Sequence, residues 1–257
     1  MHAALEQLFS LEGRVAVVTG GNSGIGRAMA VALCRAGAAV VVVARDAGRS
    51  RQVVEELRAE GGTADLVAAD LSTRDGVHRA ADEVLAVHGP PDVLVNAAGV
   101  NLRPPLAELD EAGWDRTMAL NLDAPFVLGQ RFGPLMAERG WGRIIHVTSQ
   151  QAVRAFANSG AYGASKAALA GLTRSQAEAW SARGVRVNAV APGCVHTPLN
   201  EALFADPDRV VALARRTMVG RNGLADDFAG VTVFLASDAA EYVTGQMLFV
   251  DGGFSVT

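Results

Sequence analysis

Tyr162 and Lys166 could together carry out acid–base chemistry, because their spacing places them on one face of a predicted helix. They stand four residues apart in Gly160–Arg183, a segment rich in small residues. On a helix this spacing brings two side chains about one turn apart. A nearby ammonium stabilises a phenolate, so we expect Lys166 to lower the pKa of Tyr162 from its ordinary value of about 10. Such a tyrosine can serve as a general acid or base. Two helix neighbours without a chemical role are the alternative interpretation.

Composition limits the kinds of protein that could carry this pair. The chain has 257 residues, of which half are apolar, and a net charge of −4 without a run of five like charges. We expect one domain spanning residues 1–257, and no nucleic-acid-binding surface. The N-terminus lacks the features of a signal peptide, and no apolar run is long enough to cross a membrane. The two cysteines, Cys34 and Cys194, suit free thiols in a reducing compartment. The histidines form no metal-ligand pattern. We therefore expect a cytoplasmic protein with a small-molecule partner, no membrane contact and no metal.

Apolar, β-branched segments alternate with helical segments along the chain. The predicted strands are Arg14–Thr19, Ala39–Ala44, Ala64–Ala69, Asp92–Val95, Gly142–Thr148, Val185–Val190 and Gln246–Val250. The predicted helices are Arg27–Ala36, Gly48–Glu60, Thr73–His88, Glu111–Arg139 with a bend at Pro125, Gly160–Arg183 and Ala225–Ala236. This alternation predicts an α/β fold, a Rossmann-like doubly wound parallel sheet of about seven strands with helices on both faces, forming a three-layer sandwich. Ligands of such sheets bind at the C-terminal ends of the strands.

Three glycines lie between the first strand and the first helix, in T-G-G-N-S-G-I-G at Thr19–Gly26. Glycine lets a phosphate approach the backbone closely, and a helix N-terminus offers N–H donors and a positive dipole end. We therefore expect a dinucleotide pyrophosphate here rather than a turn without a ligand. The candidate contacts are Gly20, Asn22, Ser23, Gly24, Ile25 and Gly26.

The residues after the second and third strands bear on the choice of dinucleotide. NAD sites commonly place an acidic residue at the end of the second strand, but here Arg45 follows Ala44. An arginine can hold a 2′-phosphate, so we expect NADP to be preferred, with NAD possible if Asp46 contacts the ribose. Asp70, which precedes Leu71, could accept a hydrogen bond from adenine or could equally be a turn residue.

Polar residues also stand at later strand ends. Asn96, Ala97, Ala98 and Gly99 follow the fourth strand and allow close backbone approach, with a simple turn as the alternative. Ser149 ends the fifth strand, where it could cap a helix or bind a ligand. It is not expected to be a hydrolase nucleophile, because the G-x-S-x-G pattern is absent.

Two further polar residues lie within apolar segments. Asn121 stands in a helical stretch four residues before Pro125 and needs a hydrogen-bond partner, which the backbone freed by that proline could supply. His146 lies within the fifth strand and is expected to be a core residue.

The motifs of this chain, and the order in which they occur, resemble those of the short-chain dehydrogenase/reductase family, in its compact single-domain branch. They are T-G-G-N-S-G-I-G, N-A-A-G, Asn121, Ser149, Y-G-A-S-K and P-G-C-V-H-T, and the resemblance runs from about Leu11 to Phe254. Tyr162 lies thirteen residues after Ser149, as in the family. Ala97 departs from the usual N-N-A-G, a tolerated variant.

The resemblance implies an NAD(P)-dependent oxidoreductase that interconverts an alcohol and a ketone or aldehyde. Tyr162 would exchange a proton with the substrate oxygen, and Lys166 would lower the Tyr162 pKa and hold the nicotinamide ribose. Ser149 would hydrogen-bond the substrate oxygen, and Asn121 would orient a water that links Lys166 to a proton relay. The residues bordering the nicotinamide would be Pro192, Gly193, Val195 and Thr197. The family also implies a homotetramer, or a homodimer.

The substrate is less well defined by the sequence. Candidate contacts are Asn101, Arg103, Gln150, Gln151, Phe156, Cys194 and His196, together with Ser149 and Tyr162. Arg103 stands in a segment that resembles family members acting on sugar acids, where it would bind a carboxylate, although it could be a simple loop residue. Leu199–Gly220 is expected to be a mobile lid. Its Arg209, Arg215 and Arg216 could attract an anionic substrate such as an acyl-carrier thioester, although a solvated helix face is the favoured alternative.

Three functions therefore remain open. They are a sugar-acid or polyol dehydrogenase, a 3-oxoacyl thioester reductase, and a non-catalytic dinucleotide-sensing protein. We expect the third least, because all four residues assigned to catalysis are present.

Overall fold

Valine-rich segments form the middle of a parallel sheet in the computed structural model, which describes residues 2–257. Its strands are β1 Val15–Thr19, β2 Ala39–Ala44, β3 Ala64–Ala68, β4 Val93–Asn96, β5 Gly142–Val147, β6 Val185–Pro192 and β7 Met247–Val250. Their order is β3-β2-β1-β4-β5-β6-β7, and every neighbouring pair is parallel. The predicted doubly wound sheet is thus confirmed, with strand ends within two residues of those expected. Successive strands are added in one direction from β1 to β3 and in the other from β4 to β7, so the direction changes between β1 and β4. Ligands of such sheets bind at this switch point.

Helices cover both faces of this sheet. The α-helices are α1 Ala3–Phe9, α2 Gly24–Arg35, α3 Ala47–Ala59, α4 Arg74–His88, α5 Glu111–Met118, α6 Ala124–Glu138, α7 Gly160–Trp180, α8 Glu201–Phe204, α9 Pro207–Arg215 and α10 Ala229–Ala236. Residues of α2, α3 and α10 pack in one core and residues of α4, α6 and α7 in the other, whereas α1, α8 and α9 bury no residue. No helix within residues 2–257 is both long and apolar enough to cross a membrane.

Successive residues of the central strands enter two separate cores, because strand side chains alternate between faces. On β1, Val18 packs in a core with Met29 of α2. The preceding residue, Val17, packs in the opposite core with Phe132 of α6. This two-sided burial explains why the strands are apolar throughout rather than alternating.

Helix α2 begins at Gly24, three residues before the predicted start, with Ser23 as its N-cap. The glycines there resemble a turn in sequence, yet Gly26 is helical, and Gly24, where the helix begins, has φ +52°, a conformation that favours glycine. A Cβ on Gly26 would lie 2.4 Å from the Gly20 carbonyl oxygen, so only glycine allows the helix to start this close to the strand.

The long helix predicted over Glu111–Arg139 is interrupted. A π-helical turn, Ala119–Asp123, separates α5 from α6 and carries Asn121. Pro125 stands in the first turn of α6. A proline has no N–H to donate to the carbonyl four residues earlier, so the α-helical ladder cannot run unbroken through Asn121. Such turns inside helices often mark functional positions.

Three other regions differ from prediction in detail. The Ala225–Ala236 helix consists of a 3₁₀ turn, Ala225–Phe228, followed by α10. The expected lid contains a 3₁₀ turn, Pro198–Asn200, and the helices α8 and α9. Helix α1 was not predicted and buries none of its residues.

Candidate active site

A cavity of about 620 Å³ lies at the C-terminal ends of the strands. This volume is within the range of small-molecule sites. Its wall includes residues that follow β1, β2, β4, β5 and β6, namely Gly20, Arg45, Ala97, Ser149 and Gly193. The parallel topology thus brings together residues that are far apart in the sequence.

Most residues predicted to bind the cofactor line this cavity. They are Gly20, Asn22, Ser23, Gly24, Ile25, Gly26, Arg45, Asp70, Leu71, Ala97, Ala98, Gly99, Tyr162, Lys166, Pro192, Gly193, Val195 and Thr197. Asn96 does not line the wall. It is buried beneath it, where its side-chain nitrogen lies 3.2 Å from His146 Nδ1.

The glycine turn forms a cradle at the N-terminus of α2. Gly20 has φ +65°, and a Cβ there would lie 2.9 Å from the Ala98 backbone. Ser23 caps the helix by position only, because its hydroxyl makes no capping bond. The first N–H groups of α2 have no acceptor within the helix, so together with the Ser23 hydroxyl they could bind a phosphate at this turn.

A single threonine joins this turn to the N-A-A-G segment. Thr19 Oγ1 accepts hydrogen bonds from the backbone nitrogens of Ala97 and Ala98, both at 3.1 Å, and donates to Val95 O at 3.3 Å. The ends of β1 and β4 are therefore held together at the floor of the cavity.

Two arginines line the cavity beyond β2. Arg45 and Arg49 are both exposed there, and neither forms an ion pair within residues 2–257. Asp46 lies beside them but caps α3, with its Oδ1 accepting the Arg49 N–H at 2.9 Å. The free cations at this end suit an extra phosphate.

Asp70 lines the cavity and also forms a turn, so the two sequence-based interpretations are compatible. Its Oδ1 accepts hydrogen bonds from Ser72 N at 3.0 Å and Ser72 Oγ at 2.7 Å. These bonds lower the pKa of the Asp70 carboxyl, with a smaller contribution from the Arg45 charge. The carboxylate remains available as an acceptor.

Tyr162, Lys166 and Ser149 meet at the opposite end of the cavity, and all three are almost fully buried. Lys166 Nζ donates to Val147 O at 2.7 Å and lies 5.7 Å from the centre of the Tyr162 ring. Burial lowers the pKa of Lys166 to about 8. The ammonium is thus held at the end of β5 beneath the tyrosine.

The pKa of Tyr162 shifts opposite to the direction expected from sequence. Burial raises it, and this is the largest effect. The Ser149 hydroxyl and the Arg103 charge both act to lower it. The Arg103 charge therefore opposes the effect of burial on the phenol.

Asn121 is fully buried in the π-helical turn and does not line the cavity. Its Oδ1 accepts the Val100 N–H at 2.8 Å, and its Nδ2 donates to Val100 O at 2.9 Å and to Ser165 Oγ at 3.1 Å. A Cβ on Gly99 would lie 3.2 Å from Asn121 Oδ1 and 3.7 Å from Lys166 Nζ. The turn therefore places Asn121 near Lys166 with only Gly99 between them.

His146 is a core residue, as expected. Its Nε2 lies 3.0 Å from Gln176 Oε1 on α7, and its Nδ1 contacts Asn96. Burial lowers its pKa to about 4, so the ring is neutral at neutral pH. This buried chain connects the end of β4 to the helix that carries Tyr162.

Arg103 and Gln151 lie together in the cavity wall. Arg103 Nη2 donates to Gln151 Oε1 at 3.0 Å, and the same oxygen accepts from Ser159 Oγ at 2.8 Å. Gln151 N donates to Ser149 Oγ at 3.1 Å, so Ser149 does cap the short turn that follows it. The serine oxygen accepts this bond, and its own proton can be donated to the Tyr162 phenol, whose pKa that contact lowers, or to a substrate oxygen.

Four of the remaining substrate candidates line the cavity, and one does not. Asn101, Gln150, Phe156 and Cys194 line the cavity, and burial raises the pKa of the Cys194 thiol to about 11. His196 is exposed, does not line the cavity and stacks on Phe204 with ring centres 4.5 Å apart. The structure therefore does not bring His196 to the site.

Several wall residues were not assigned to the site from sequence. They are Arg49, Arg116, Asn200, Leu203 and Leu213, and the wall also includes Arg209, which was considered from sequence only as one of three lid arginines that could attract an anion. Four of these lie in the expected lid segment, whose position after the P-G-C-V-H-T motif was the available signal.

This geometry can be compared with known proteins. The chain matches a family profile described as "Enoyl-(Acyl carrier protein) reductase" over residues 20–255. It is also 40% identical to a 2-dehydro-3-deoxy-D-gluconate 5-dehydrogenase from Pseudoalteromonas atlantica, over 96% of this chain and 97% of the relative. The protein belongs to the short-chain dehydrogenase/reductase family. Its expected class, an NAD(P)-dependent oxidoreductase acting on CH–OH groups, is thereby confirmed.

Solved structures of the short-chain dehydrogenase/reductase family agree closely with this fold. A protein from Beutenbergia cavernae, assigned as an NAD(P)-dependent gluconate 5-dehydrogenase and solved with NADP, is 45% identical with a TM-score of 0.94, covering 97% of this chain and 100% of that one. A gluconate 5-dehydrogenase from Burkholderia cenocepacia, solved with NADP and tartrate, is 38% identical with a TM-score of 0.94, covering 98% and 99%.

Proposed function

We propose that this protein is an NADP(H)-preferring dehydrogenase that interconverts a secondary alcohol and a ketone on a sugar acid. The observation that carries the proposal is the position of Arg103, a half-buried cation in the same cavity wall as Tyr162 and Ser149. A carboxylate bound to Arg103 would leave a hydroxyl carbon of the same substrate near Tyr162. The similarity to gluconate dehydrogenases supports this substrate class.

In this proposal, Tyr162 and Ser149 both act on the substrate oxygen. Tyr162 takes a proton from the substrate hydroxyl during oxidation and returns it to the carbonyl oxygen during reduction. Ser149, whose oxygen accepts the Gln151 N–H, donates its own proton to the substrate oxygen as negative charge develops there. A nicotinamide dinucleotide, when bound, supplies the acceptor or donor of the hydride.

Lys166 and Asn121 support Tyr162. Lys166 would hold the nicotinamide ribose and complete a proton path from Tyr162, and Asn121 would orient a water in that path. Their approach across Gly99 supports this assignment. The pyrophosphate would lie on the glycine turn, and Arg45 would bind a 2′-phosphate.

The same proposal covers the rest of the chain. Residues 1–257 form one NAD(P)-binding domain that includes the catalytic and substrate-binding parts. The protein acts in the cytoplasm, which its two free thiols suit. It assembles as a homotetramer, or a homodimer, and the partly exposed Phe249 of the edge strand β7 supports a subunit contact there. Light scattering of the purified protein tests the assembly.

The decisive experiment is a substrate screen with both cofactors. It compares D-gluconate, the neutral polyol D-glucitol and a 3-oxoacyl thioester, and it repeats each with the variant Arg103→Glu. We expect wild-type turnover of the acid and at least a hundredfold loss of kcat/KM for the acid in Arg103→Glu, while any polyol activity survives. Arg79→Glu, an exposed change on α4, is the matched charge control.

Two outcomes would contradict the proposal. Turnover of the thioester alone would favour the reductase alternative. NADPH binding without turnover of any carbonyl or alcohol would favour the non-catalytic sensor.

A further inference from the structure

A side chamber of about 250 Å³ adjoins the main cavity between the loop after β4 and the lid. We define it by Asn101 and Arg103 on the loop and by Asn200, Leu203 and Arg209 on the lid, all of which also line the main cavity. Among the described residues in its wall, none is acidic. The chamber is therefore electropositive and continuous with the space beside Tyr162.

The two arginines of the side chamber have no anionic partner in the described chain. Neither Arg103 nor Arg209 forms an ion pair within residues 2–257. Arg103 Nη2 is bonded to Gln151, but its Nε is buried without any acceptor. A buried N–H without an acceptor destabilises the folded state. An anion in the chamber would supply that acceptor.

The charges of these arginines act on each other. Burial is the main cause that lowers the pKa of Arg103, and the Arg209 charge lowers it further. The same two charges act to lower the pKa of Cys194. Two cations that face one space repel each other, and a carboxylate between them would turn the repulsion into attraction.

A complementary acceptor lies in the same chamber. Asn101 Nδ2 donates to Asn200 Oδ1 at 3.2 Å, which joins the loop to the lid. Asn101 Oδ1 is buried and has no hydrogen-bond donor. Asn200 Nδ2 in turn donates to Val195 O at 3.3 Å. The chamber thus offers guanidinium donors and one amide acceptor, which match a carboxylate with a hydroxyl on a neighbouring carbon.

We propose that Arg209 is the lid residue that completes the acid-binding site, so that a hydroxycarboxylate binds between Arg103 and Arg209 while its neighbouring hydroxyl donates to Asn101 Oδ1. This rests on the proposed function, because it specifies how that site selects acids. Arg209 comes from α9, whereas Arg103 comes from the loop after β4. Binding of the acid therefore adds a charged link between the lid and the loop, which a neutral polyol cannot provide.

The test is a comparison of Arg209→Gln with Arg215→Gln. Arg215 lies on the same helix, is exposed and does not line either space, so its replacement removes the same charge elsewhere. We expect Arg209→Gln to raise KM for D-gluconate at least tenfold while kcat stays within about threefold of wild type. The KM of Arg209→Lys should lie between those of Arg209→Gln and wild type, because a single ammonium group replaces the several N–H donors of the guanidinium. KM for D-glucitol should not change.

A binding measurement separates this proposal from the proposed function. Thermal stabilisation of the NADP⁺-saturated protein by D-gluconate and by tartrate is recorded for wild type and both variants. Loss of the shift in Arg209→Gln alone supports the acid site even if wild type turns over no acid, in which case only the proposed function fails. Equal behaviour of Arg209→Gln and Arg215→Gln in both measurements overturns the acid site, as does absence of any acid binding to wild type.

Discussion

Replacing Gly26 with alanine should weaken NADPH binding, because the added methyl group would push α2 away from the glycine turn. The new Cβ would lie 2.4 Å from the Gly20 carbonyl oxygen, whereas ordinary contacts begin at 3.4 Å. The turn and the helix must therefore separate by the difference, about 1 Å. The N–H groups of the first helical turn would then no longer converge on one phosphate.

The size of the effect follows from this displacement. A hydrogen bond of about 2.9 Å that lengthens by about 1 Å is lost. A bond to a charged group contributes roughly 1.5–3 kcal/mol, so loss of one should raise the Kd for NADPH about 10- to 100-fold. Overpacking costs about 1–3 kcal/mol, while alanine in a helix gains about 0.5–1 kcal/mol over glycine. The free energy of unfolding should therefore fall modestly.

Gly230 provides a matched control for this substitution. It also lies near the start of a helix, α10, but a Cβ there would meet nothing within 4 Å. Gly230→Ala should raise the free energy of unfolding by about 0.5–1 kcal/mol and leave NADPH binding unchanged. NADPH fluorescence titration and urea unfolding measure both quantities. Wild-type affinity in Gly26→Ala would refute the placement of the phosphates at this turn.

Three other predictions test separate parts of the site and its support. Tyr162→Phe removes only the hydroxyl, so kcat should fall by about 10²–10⁴ or more while the Kd for NADPH stays within about threefold. Arg45→Ala should raise the Kd for NADPH at least about tenfold and barely change that for NADH, because only NADPH carries the 2′-phosphate. His146 has a folded-state pKa of about 4, below its unfolded value of 6.5, so its contribution to stability is complete above pH 6.5 and is lost as the pH falls to 4. The loss approaches about 1.4 kcal/mol per pH unit, measured by urea unfolding.

Each of these has a result that would count against it. Substantial turnover by Tyr162→Phe would remove the phenol from the proton transfer. Equal effects of Arg45→Ala on both cofactors, or the same effects from Arg51→Ala outside the cavity, would make Arg45 an ordinary surface residue. If His146→Asn retains the full loss of stability on acidification, other groups cause it.

The sheet and the glycine turn could be predicted from sequence because each depends on a local pattern. Runs such as Ala39–Ala44 are apolar on both faces only when helices cover both sides of a strand. The π-helical turn at Asn121 could not be located in this way, since Pro125 indicates a disturbance but not its geometry. The exact start of α2 also depended on a tertiary contact, the approach of Gly26 to Gly20.

The part of the site formed by side chains from distant segments was harder to predict. Tyr162 and Lys166 share a helix, so their proximity follows from spacing. Arg103 and Arg209 are 106 positions apart in the chain, and only the folded lid brings them to one chamber. The opposite shift of the Tyr162 pKa has the same origin, because burial of the phenol depends on packing that local spacing does not reveal.

The buried chain from Asn96 through His146 to Gln176 has a consequence for motion. Its hydrogen bonds connect α7, the helix that carries Tyr162 and Lys166, to the centre of the sheet. Because these groups are buried, water cannot replace their partners unless the core opens. The lid, by contrast, buries no residue between Pro198 and Arg216. Amide hydrogen exchange should therefore be slowest in the middle of α7 and fastest in the lid. On the proposed function, Tyr162 would then keep its alignment throughout the cycle, while the lid would govern how long the substrate stays bound.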